Sequence, residues 1–482
     1  MRQLSGHDAN FLYTDTTQAN ANVTFIQTYD PSTAPGGKVR FKSILAHIES
    51  RLPRSPIFRS KLQRVPLDLD HPYWVEDEHF DLEYHVRHIA LPKPGDWRQF
   101  CIQASRIHAR ALDLQRPLWE IYVIEGLDSI TDLPPGSFAL LTKIHHAAME
   151  VPGHDAIAEV LHDTTRRTPR PVPPQPWFPA AAPSPAALTL RATVHGVLSP
   201  WRLWGSVLRR APAVTAFARD LLRPEHGVTA TRFNSVVSAH RVFDTRRFMV
   251  AEFERIARLV PGATLVDAVL AVCAGGLRRY LAANGELPAA DLLASTSLVA
   301  GPPGAAKHTA ASVRQVRLGT CIGNAVERLA MIHRQPADLH TGSAPALASC
   351  TITEVPGPAV PMYLDGARLT YFSAILPISD GMGLVFAVSR YDGRIVVSPT
   401  SCRELLPDPQ AFTQCVRDSF QEYLALAPTG PATRTAKPPL KPARPRASTS
   451  GRRSPAGPKA RSAASAPQAA PAGRRRSTAP RR

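Results

Sequence analysis

The sequence predicts an α/β fold, and three patterns carry that prediction. Residues 138–144 alternate between two apolar faces, which is the period-2 pattern of a strand buried on both sides. Residues 39–52 and 97–112 instead repeat apolar side chains at the spacing of a helix with one buried face. Residues 264–281 are apolar nearly all round, as in a helix enclosed by the protein. Helices and strands that follow one another in this way are typical of layered α/β domains.

The first half of the chain sets out its predicted elements in a regular order. The helix at 39–52 is expected to end at Pro53, and residues 57–91 are predicted to form short extended pieces. After the helix at 97–112, residues 119–123 alternate between apolar and more polar side chains, which predicts a strand. The order helix, strand, strand, helix therefore gives the apolar strand a central position in a sheet.

Two adjacent histidines follow the apolar strand. His145 and His146 stand at its carboxyl end, where neighbouring side chains point to opposite sides, so one ring can face a cavity while the other turns into the domain. Gly153 breaks the following loop, and Asp155 is placed to cap the next helix. Taken alone, such a pair is more often one core and one loop histidine than a site. There is no His-Glu-x-x-His run, and Glu150 stands without a Cys or His cluster, so no metal site is expected.

A change in composition separates two predicted domains. Residues 168–187 are rich in proline, which favours neither a helix nor a central strand, and we interpret them as a linker. The first domain then spans 1–167 and the second 188–428, while 429–482 form a Pro, Ala, Ser and Arg tail that is predicted to be disordered. Residues 188–222 mix tryptophan with arginine, which suits either an amphipathic helix on an anionic bilayer or a helix packed on the body.

The rest of the second domain also alternates between extended and helical patterns. Extended pieces near 236–243 precede a helix at 253–259. Thr264 is expected to cap the long buried helix, with Asp267 as the capping-box partner three residues later. Residues 383–398 are predicted to form a β-hairpin that turns at a Tyr-Asp-Gly sequence.

The positive charge of the chain is concentrated in the tail. Residues 431–482 hold 14 Lys and Arg and no acidic residue, so the net charge of +18 leaves about +4 for everything before them. Such a tail can contact polyanions or anionic membranes in a salt-sensitive way. Because it contains no aromatic residue for base stacking, specific nucleic-acid recognition is not expected.

Cysteine use and hydropathy indicate the compartment. The six cysteines are scattered without a Cys-x-x-Cys pair, for which reduced thiols in a cytoplasmic protein are the simplest account. The N-terminus lacks the basic start and apolar core of a signal peptide. No run reaches the roughly 18 apolar residues of a membrane span. Any membrane contact is therefore expected to be peripheral.

Seven short motifs occur in order along both halves of the chain. They are DANFLY at 8–13, YWVEDEHFDLEYHVRH at 73–88, RPLWE at 116–120, KIHHA at 143–147, VDAVLA at 266–271, VPGP at 355–358 and YDGR at 391–394. Together they resemble the bacterial wax ester synthase/diacylglycerol acyltransferase family. That family belongs to the coenzyme A-dependent acyltransferases with a chloramphenicol-acetyltransferase-like fold. The resemblance covers residues 3–425.

The resemblance implies two α/β domains with a tunnel at their interface, in which acyl-CoA and an alcohol approach a histidine from different sides. By this resemblance His146 is the general base, His145 positions it, and Glu150 takes the structural place of the motif aspartate. A histidine with a pKa near 6.5 can take the proton of an alcohol at neutral pH. No cofactor is implied beyond acyl-CoA, which is a substrate.

The resemblance also implies substrate-binding residues and partners. Pro117, Leu118, Trp119 and Asp267 correspond to substrate-binding positions. The alternative is that Pro117 and Trp119 only pack the strand and that Asp267 only caps a helix. The expected partners are acyl-CoA, diacylglycerol or a long-chain alcohol, and the surface of a membrane or lipid body.

The chain departs from the family pattern at several positions. The motif His-His-x-x-x-Asp-Gly continues here as Glu150-Val151, and we interpret the change as a one-residue deletion. The family's Asn-Asp pair is Val266-Asp267, a Gly-Asn pair is His308-Thr309, and the Asn before VPGP is Glu354. The stretch 332–351 is also shorter than usual for the family.

Two functional hypotheses follow from the motifs and their departures. The first is an acyltransferase that makes triacylglycerol or wax ester from acyl-CoA, with His146 as the base. The second is a catalytically impaired homologue that binds acyl-CoA or lipid at membrane or lipid-body surfaces.

Overall fold

The computed structural model of the chain describes residues 1–149, 157–167, 177–198, 229–298, 313–335 and 348–428. Met1–Thr429 form one compact unit, and the fold described below is that of this unit. A second unit, Gly430–Arg482, includes the predicted basic tail, which lies outside the described residues.

The described helices and strands are numbered in chain order. The helices are α1 (Gly6–Thr14), α2 (Phe41–Arg51), α3 (Leu82–His85), α4 (Trp97–Ala109), α5 (Ile157–Val160), α6 (Pro185–Leu198), α7 (Val250–Ala257), α8 (Leu265–Ala283), α9 (Ala325–His333) and α10 (Pro409–Leu426). The strands are β1 (Arg2–Gln3), β2 (Asn22–Asp30), β3 (Ser60–Gln63), β4 (Tyr73–Glu76), β5 (Val86–Ala90), β6 (Trp119–Glu125), β7 (Phe138–His145), β8 (Arg241–Phe243), β9 (Arg246–Met249), β10 (Leu293–Thr296), β11 (Arg314–Arg317), β12 (Cys350–Val355), β13 (Tyr363–Leu364), β14 (Ala367–Ile375), β15 (Val385–Tyr391) and β16 (Arg394–Cys402).

The strand that carries the histidines lies in the middle of a six-stranded sheet, as predicted. The strand order is β13-β14-β2-β7-β6-β5, with β7 antiparallel to both of its neighbours. Every residue of β7 is buried. Phe138, Leu140 and Ile144 enter the core on one face, together with residues of α1 and α2. Ala139 and Leu141 enter the core on the other face, against α4, so the two apolar faces of the sequence pattern are confirmed.

One part of this sheet comes from the far end of the chain. Strands β13 and β14 belong to the second half of the sequence, yet β14 pairs with β2 along its length, for example Ile375 with Thr24. The sequence pattern did not indicate this pairing, because strand partners more than 300 residues apart leave no local signal. The predicted domain boundaries remain a prediction.

A seven-stranded sheet forms the framework of the second half. Its order is β11-β10-β12-β15-β16-β8, and β9 pairs with β16 beside β8. The predicted buried helix is α8, which begins at Leu265 after a Thr264–Asp267 capping box, as the sequence indicated. The predicted hairpin is the β15–β16 pair, and its turn residues Asp392 and Gly393 have φ angles of 47° and 71°, the left-handed values of a type I′ turn.

Helix α8 packs closely on α10 because two glycines lie at the crossing. A Cβ atom at Gly276 would stand 2.7 Å from the side chain of Val416, and one at Gly275 would stand 2.2 Å from the Ser419 hydroxyl. Neither distance is compatible with a side chain, so the small residues set the separation of the two helices.

A small sheet, β1-β4-β3, and helix α6 complete the described part of the unit. Leu188 and Ala192 of α6 are buried against Val65 and Tyr73, so this helix packs on the body at its start. Of the predicted linker, residues 168–176 lie outside the described range. Helix α6 begins at Pro185, slightly before the predicted end of the linker, because proline is well tolerated in the first turn of a helix.

Asp244, between β8 and β9, connects the two halves. Its carboxylate is 1% exposed and accepts hydrogen bonds from the indole Nε1 of Trp97 at 3.0 Å and from the hydroxyl of Thr413. Arg246 donates a third bond at 2.9 Å. Trp97 begins α4 on the first sheet, whereas Thr413 lies in α10 on the second. A single buried carboxylate therefore holds groups from both halves.

Asp244→Ala is expected to lower the free energy of unfolding by about 2 to 4 kcal/mol, because the buried hydroxyl of Thr413 and the partly buried indole N–H of Trp97 lose their acceptor. Asp132→Ala is the matched control, since Asp132 also links the halves, through Arg247, but is 70% exposed. Its expected cost is below about 1 kcal/mol. Denaturant unfolding curves measure both, and equal losses would contradict the role given to Asp244.

Candidate active site

The two histidines lie where β7 ends and a short 3₁₀ turn begins. His145 is the last residue of the strand, and His146–Ala148 form the turn. The amide of His145 donates to the carbonyl of Leu118 at 3.0 Å, and the amide of His146 donates to the carbonyl of Ala21 at 2.8 Å. The backbone of the pair is thus fixed from both neighbouring strands.

His145 turns into the protein, as the sequence predicted for one member of the pair. Its side chain is 1% exposed, and its Nε2 lies 2.9 Å from a carboxylate oxygen of Asp15. Its Nδ1 accepts a bond of 3.2 Å from the amide of Ala147. Because a backbone amide only donates, Nδ1 must be unprotonated, and the ring proton is therefore on Nε2, directed at Asp15.

Asp15 and Phe11 are contacts that the sequence analysis did not identify. Asp15 follows α1 directly, and its second carboxylate oxygen accepts a bond of 2.7 Å from the amide of Ala21. Phe11 lies one helical turn earlier, inside the DANFLY motif. The only sequence signal was the closeness of both residues to that motif, and nothing local connected them with histidines 130 residues away.

His146 is partly buried and stacks on Phe11. The ring centroids are 3.8 Å apart and the two planes are inclined by 21°. Burial is the largest cause that lowers the pKa of His146, from 6.5 to about 4. Among the described residues, no other side chain hydrogen-bonds to its ring nitrogens. At neutral pH the ring is therefore uncharged and can accept a proton.

Pro117, Leu118 and Trp119 are all buried at the start of β6. Leu118 holds His145 through its backbone carbonyl. The indole Nε1 of Trp119 donates to the carbonyl of Phe58 at 3.0 Å, and its ring stacks on His85 at 4.5 Å. The segment is thus adjacent to the histidine pair and supports it from the backbone.

Asp267 has its described contacts in the second half. Its carboxylate accepts bonds from the amide of Thr264 at 2.8 Å and from the ring of His333 at 3.0 Å. The described residues do not bring Asp267 into contact with His145 or His146. Glu150, the remaining predicted site residue, lies outside the described range together with Asp155.

Lys143 lies two residues before His145 and is fully buried. Its ammonium donates to the carbonyl of Ile107 at 3.1 Å and to that of Arg110, and it lies 4.0 Å from the carboxylate of Glu120. Burial lowers the pKa of Lys143 to about 8. These contacts place a cation at the carboxyl end of α4, where the helix dipole favours it, so its role is to fix α4 against β7.

The histidine pair therefore combines two different tasks. His145 is hydrogen-bonded at both ring nitrogens and is held rigidly, whereas His146 is neutral and partly accessible. Groups of this second kind can act as general bases. The described residues contain no cluster of three or more metal-ligating side chains.

Comparison of the sequence with known families gives two matches. The profile described as wax ester synthase/diacylglycerol acyltransferase catalytic domain matches residues 4–269, and the WS/DGAT C-terminal domain matches residues 306–423. A protein of Mycobacterium tuberculosis strain H37Rv, assigned as a diacylglycerol O-acyltransferase, is 31% identical over 437 residues, 81% of this chain and 90% of that protein. The O-acyltransferase WSD of Acinetobacter baylyi is 28% identical over 464 residues, 88% of this chain and 97% of that protein.

A solved structure establishes the fold. The wax ester synthase/diacylglycerol acyltransferase from Marinobacter aquaeolei VT8 matches with a TM-score of 0.66 at 24% identity, covering 87% of this chain and 98% of that chain. The predicted two-domain α/β fold is confirmed by this match. Since the catalytic-domain profile alone spans more than half of the sequence, the chain belongs to the wax ester synthase/diacylglycerol acyltransferase family.

Proposed function

We propose that this chain transfers a long-chain acyl group from acyl-CoA to the hydroxyl of a diacylglycerol or a fatty alcohol, with His146 as the general base. Membership of the family supports the acyl transfer and its two acceptor classes. The observation that carries the role of His146 is the position of its partly buried ring at the end of β7, where it stacks on Phe11 with the centroids 3.8 Å apart and accepts no side-chain hydrogen bond from the described residues.

In the proposed reaction, the neutral ring of His146 takes the hydroxyl proton as the acceptor oxygen attacks the thioester carbonyl carbon. The carbon–sulfur bond then breaks, and the imidazolium returns the proton to the departing thiolate of coenzyme A. The products are the ester and free coenzyme A, and the histidine is regenerated. A low pKa makes His146 a weaker base but its imidazolium a stronger acid, which favours the second proton transfer.

General base catalysis accounts for only part of the rate. A positioned base contributes about 10²- to 10⁴-fold, so substrate orientation and stabilisation of the tetrahedral oxyanion must supply the remainder. The tunnel at the domain interface, and substrate contacts of Pro117, Leu118, Trp119 and Asp267, remain predictions. No cofactor beyond the acyl-CoA substrate enters the proposal.

Association with a lipid surface is part of the proposal, because both acceptors are lipids. Helix α6 buries Leu188 and Ala192, while Leu190 and Val194 on its other side are 66% and 49% exposed. Leu67, in the turn on which α6 packs, is 74% exposed. In the described part of the chain, no helix combines the length and hydropathy needed to cross a bilayer. A polyanion contact of residues 431–482 also remains a prediction.

The second candidate function is a lipid- or acyl-CoA-binding homologue with impaired catalysis. Glu150 and Val151, which replace the Asp-Gly of the family motif, favour it. The hydrogen bonds that hold His145 and His146 favour the active enzyme. They come from Ala21, Leu118 and Asp15, none of which belongs to the altered part of the motif.

His146→Ala is expected to lower the release of coenzyme A thiol from palmitoyl-CoA by about 10²- to 10⁴-fold, with dioleoylglycerol or hexadecanol as acceptor. His240→Ala is the control, because His240 is a 75% exposed histidine of the second half. Unchanged turnover in the first variant would exclude His146 as the base. No turnover in the folded wild-type chain with either acceptor would favour the binding homologue.

The acid limb of kcat/KM is expected near pH 4, because this limb reports the pKa of the base in the free enzyme. Burial disfavours the imidazolium, so the base form persists to lower pH than for a histidine in water. His47, His85 and His108 are also buried with lowered pKa values, so the unfolded state binds more protons below about pH 6.5 and the fold loses stability there. Activity recovered at pH 7.5 after incubation at each pH controls for unfolding, and a midpoint near 6.5 would contradict the prediction.

The double variant Leu190→Ser, Val194→Ser is expected to have an affinity for anionic phosphatidylglycerol vesicles at least about tenfold lower than that of the wild type. Each substitution removes an exposed apolar side chain whose burial in lipid is favourable. Val236→Ser is the control, as Val236 is 72% exposed but lies far from α6 in the sequence. Vesicle flotation measures both. Equal binding by all three proteins would show that α6 does not face the lipid.

A further inference from the structure

Helix α1 and the residue that directly follows it contact both histidines. Phe11 and Asp15 are four residues apart and therefore lie on the same side of the helix axis. Phe11 stacks on His146, and Asp15 binds His145. The helix is itself anchored, because Ser5 caps its first turn and Ala9 and Leu12 are buried in the first core.

Asp15 joins the histidine turn to the segment that follows α1. One of its carboxylate oxygens accepts the amide of Ala21, and the other accepts the ring proton of His145. Ala21 in turn accepts the amide of His146, and His145 accepts the amide of Ala147. The backbone of His146 is thus part of a closed ring of hydrogen bonds through Ala21, Asp15 and His145.

The carboxylate also determines the tautomer of His145. With an acceptor at Nε2, the ring keeps Nδ1 unprotonated for the amide of Ala147. If a hydrogen-bond donor faced Nε2 in place of Asp15, Nε2 would have to accept and the ring proton would move to Nδ1. The Nδ1–H would then oppose the amide N–H of Ala147. One bond of the turn that begins at His146 would be lost as a result.

Phe11 acts on His146 directly. Its ring lies parallel to the imidazole with the centroids 3.8 Å apart, so it covers one face of the base. This contact limits rotation of the imidazole and keeps water from that face.

We propose that Asp15 and Phe11 are positioning residues of the transfer reaction, with Asp15 acting through His145 and Phe11 by stacking on His146. The inference rests on the proposed role of His146 as the base. Neither residue takes part in bond making. Their effect is on the placement of the base, for which small displacements cost about a hundredfold in rate.

Asp15→Asn is the principal test, because it keeps the size of the side chain and removes the carboxylate. The expected result is a fall in kcat of about a hundredfold, with the KM for palmitoyl-CoA changed less than about threefold. Asp15→Glu keeps a carboxylate that can accept at both oxygens, and it is expected to hold kcat within about tenfold of the wild type. Asp113→Asn is the control, since Asp113 pairs with Arg116 at a half-exposed position, and its kcat is expected to be unchanged.

The tautomer of His145 supplies a readout that loss of stability alone would not move. In full-length protein labelled with ¹⁵N-histidine, the His145 signals, assigned with His145→Gln, are expected to show a protonated Nε2 and an unprotonated Nδ1. In Asp15→Asn, the asparagine has one oxygen for the two donors that Asp15 accepts; if that oxygen keeps the amide of Ala21, its NH2 group faces Nε2 and the proton is expected to move to Nδ1. A kcat equal to that of the wild type would overturn the role of Asp15, whichever tautomer is found.

Phe11→Leu tests the second contact and keeps an apolar side chain of similar reach. Its kcat is expected to fall about tenfold, and the acid limb of kcat/KM is expected to rise towards pH 6.5, because less of the imidazole is covered. Phe11→Tyr keeps the ring and is expected to retain both values. An unchanged acid limb in Phe11→Leu would overturn the role of Phe11.

Failure of the proposal is distinguishable from failure of the proposed function. If His146→Ala retains turnover, the base assignment is wrong, and the ¹⁵N measurement still decides whether Asp15 sets the tautomer. If His146→Ala is inactive while Asp15→Asn and Phe11→Leu are fully active, the base assignment stands and the positioning roles are wrong.

Discussion

The hydrogen bonds that hold the end of β7 are the constraint on which the site depends. The amides of His145 and His146 donate to the carbonyls of Leu118 and Ala21, and these bonds fix the backbone position at which the turn begins. Both bonds are made by backbone atoms and lie before the altered motif position Glu150. The departure from the family motif therefore leaves untouched the restraints that fix the two histidines. The backbone position of His146 is therefore held by residues outside the loop that follows it.

The buried ionisable groups of the protein are of two kinds, those with hydrogen-bonding partners and those without. Lys143 and Asp244 are fully enclosed, and each is surrounded by hydrogen-bonding partners that compensate for lost hydration. His146 has no such side-chain partner among the described residues. Burial therefore lowers its pKa, and the ring is uncharged at neutral pH. The same burial that would destabilise an imidazolium thus produces the neutral ring that proton transfer requires. His145, next to His146 in the chain, is of the first kind, because it has an acceptor at one ring nitrogen and a donor at the other.

Local patterns predicted much of the fold and one part of the site. The alternation in β7, the capping box of α8 and the Asp392-Gly393 turn depend on neighbours in the sequence, and all three are confirmed. The contacts of Asp15 and Phe11 with the histidines depend on chain segments that meet only in the folded protein, so no spacing indicated them. The pairing of β14 with β2 was missed for the same reason. The resemblance supplied what local patterns cannot, namely which histidine to regard as reactive.

The position of β14 has a consequence for synthesis of the chain on the ribosome. Strand β2 is completed by residue 30, and its partner on one side, β7, by residue 145, but the partner on its other side ends only at residue 375. While the intervening chain is being made, β2 presents an unpaired edge, which is a surface prone to association with other strands. The sheet that carries the histidines is therefore complete only late in translation, so the first half of the sequence is not by itself a finished folding module.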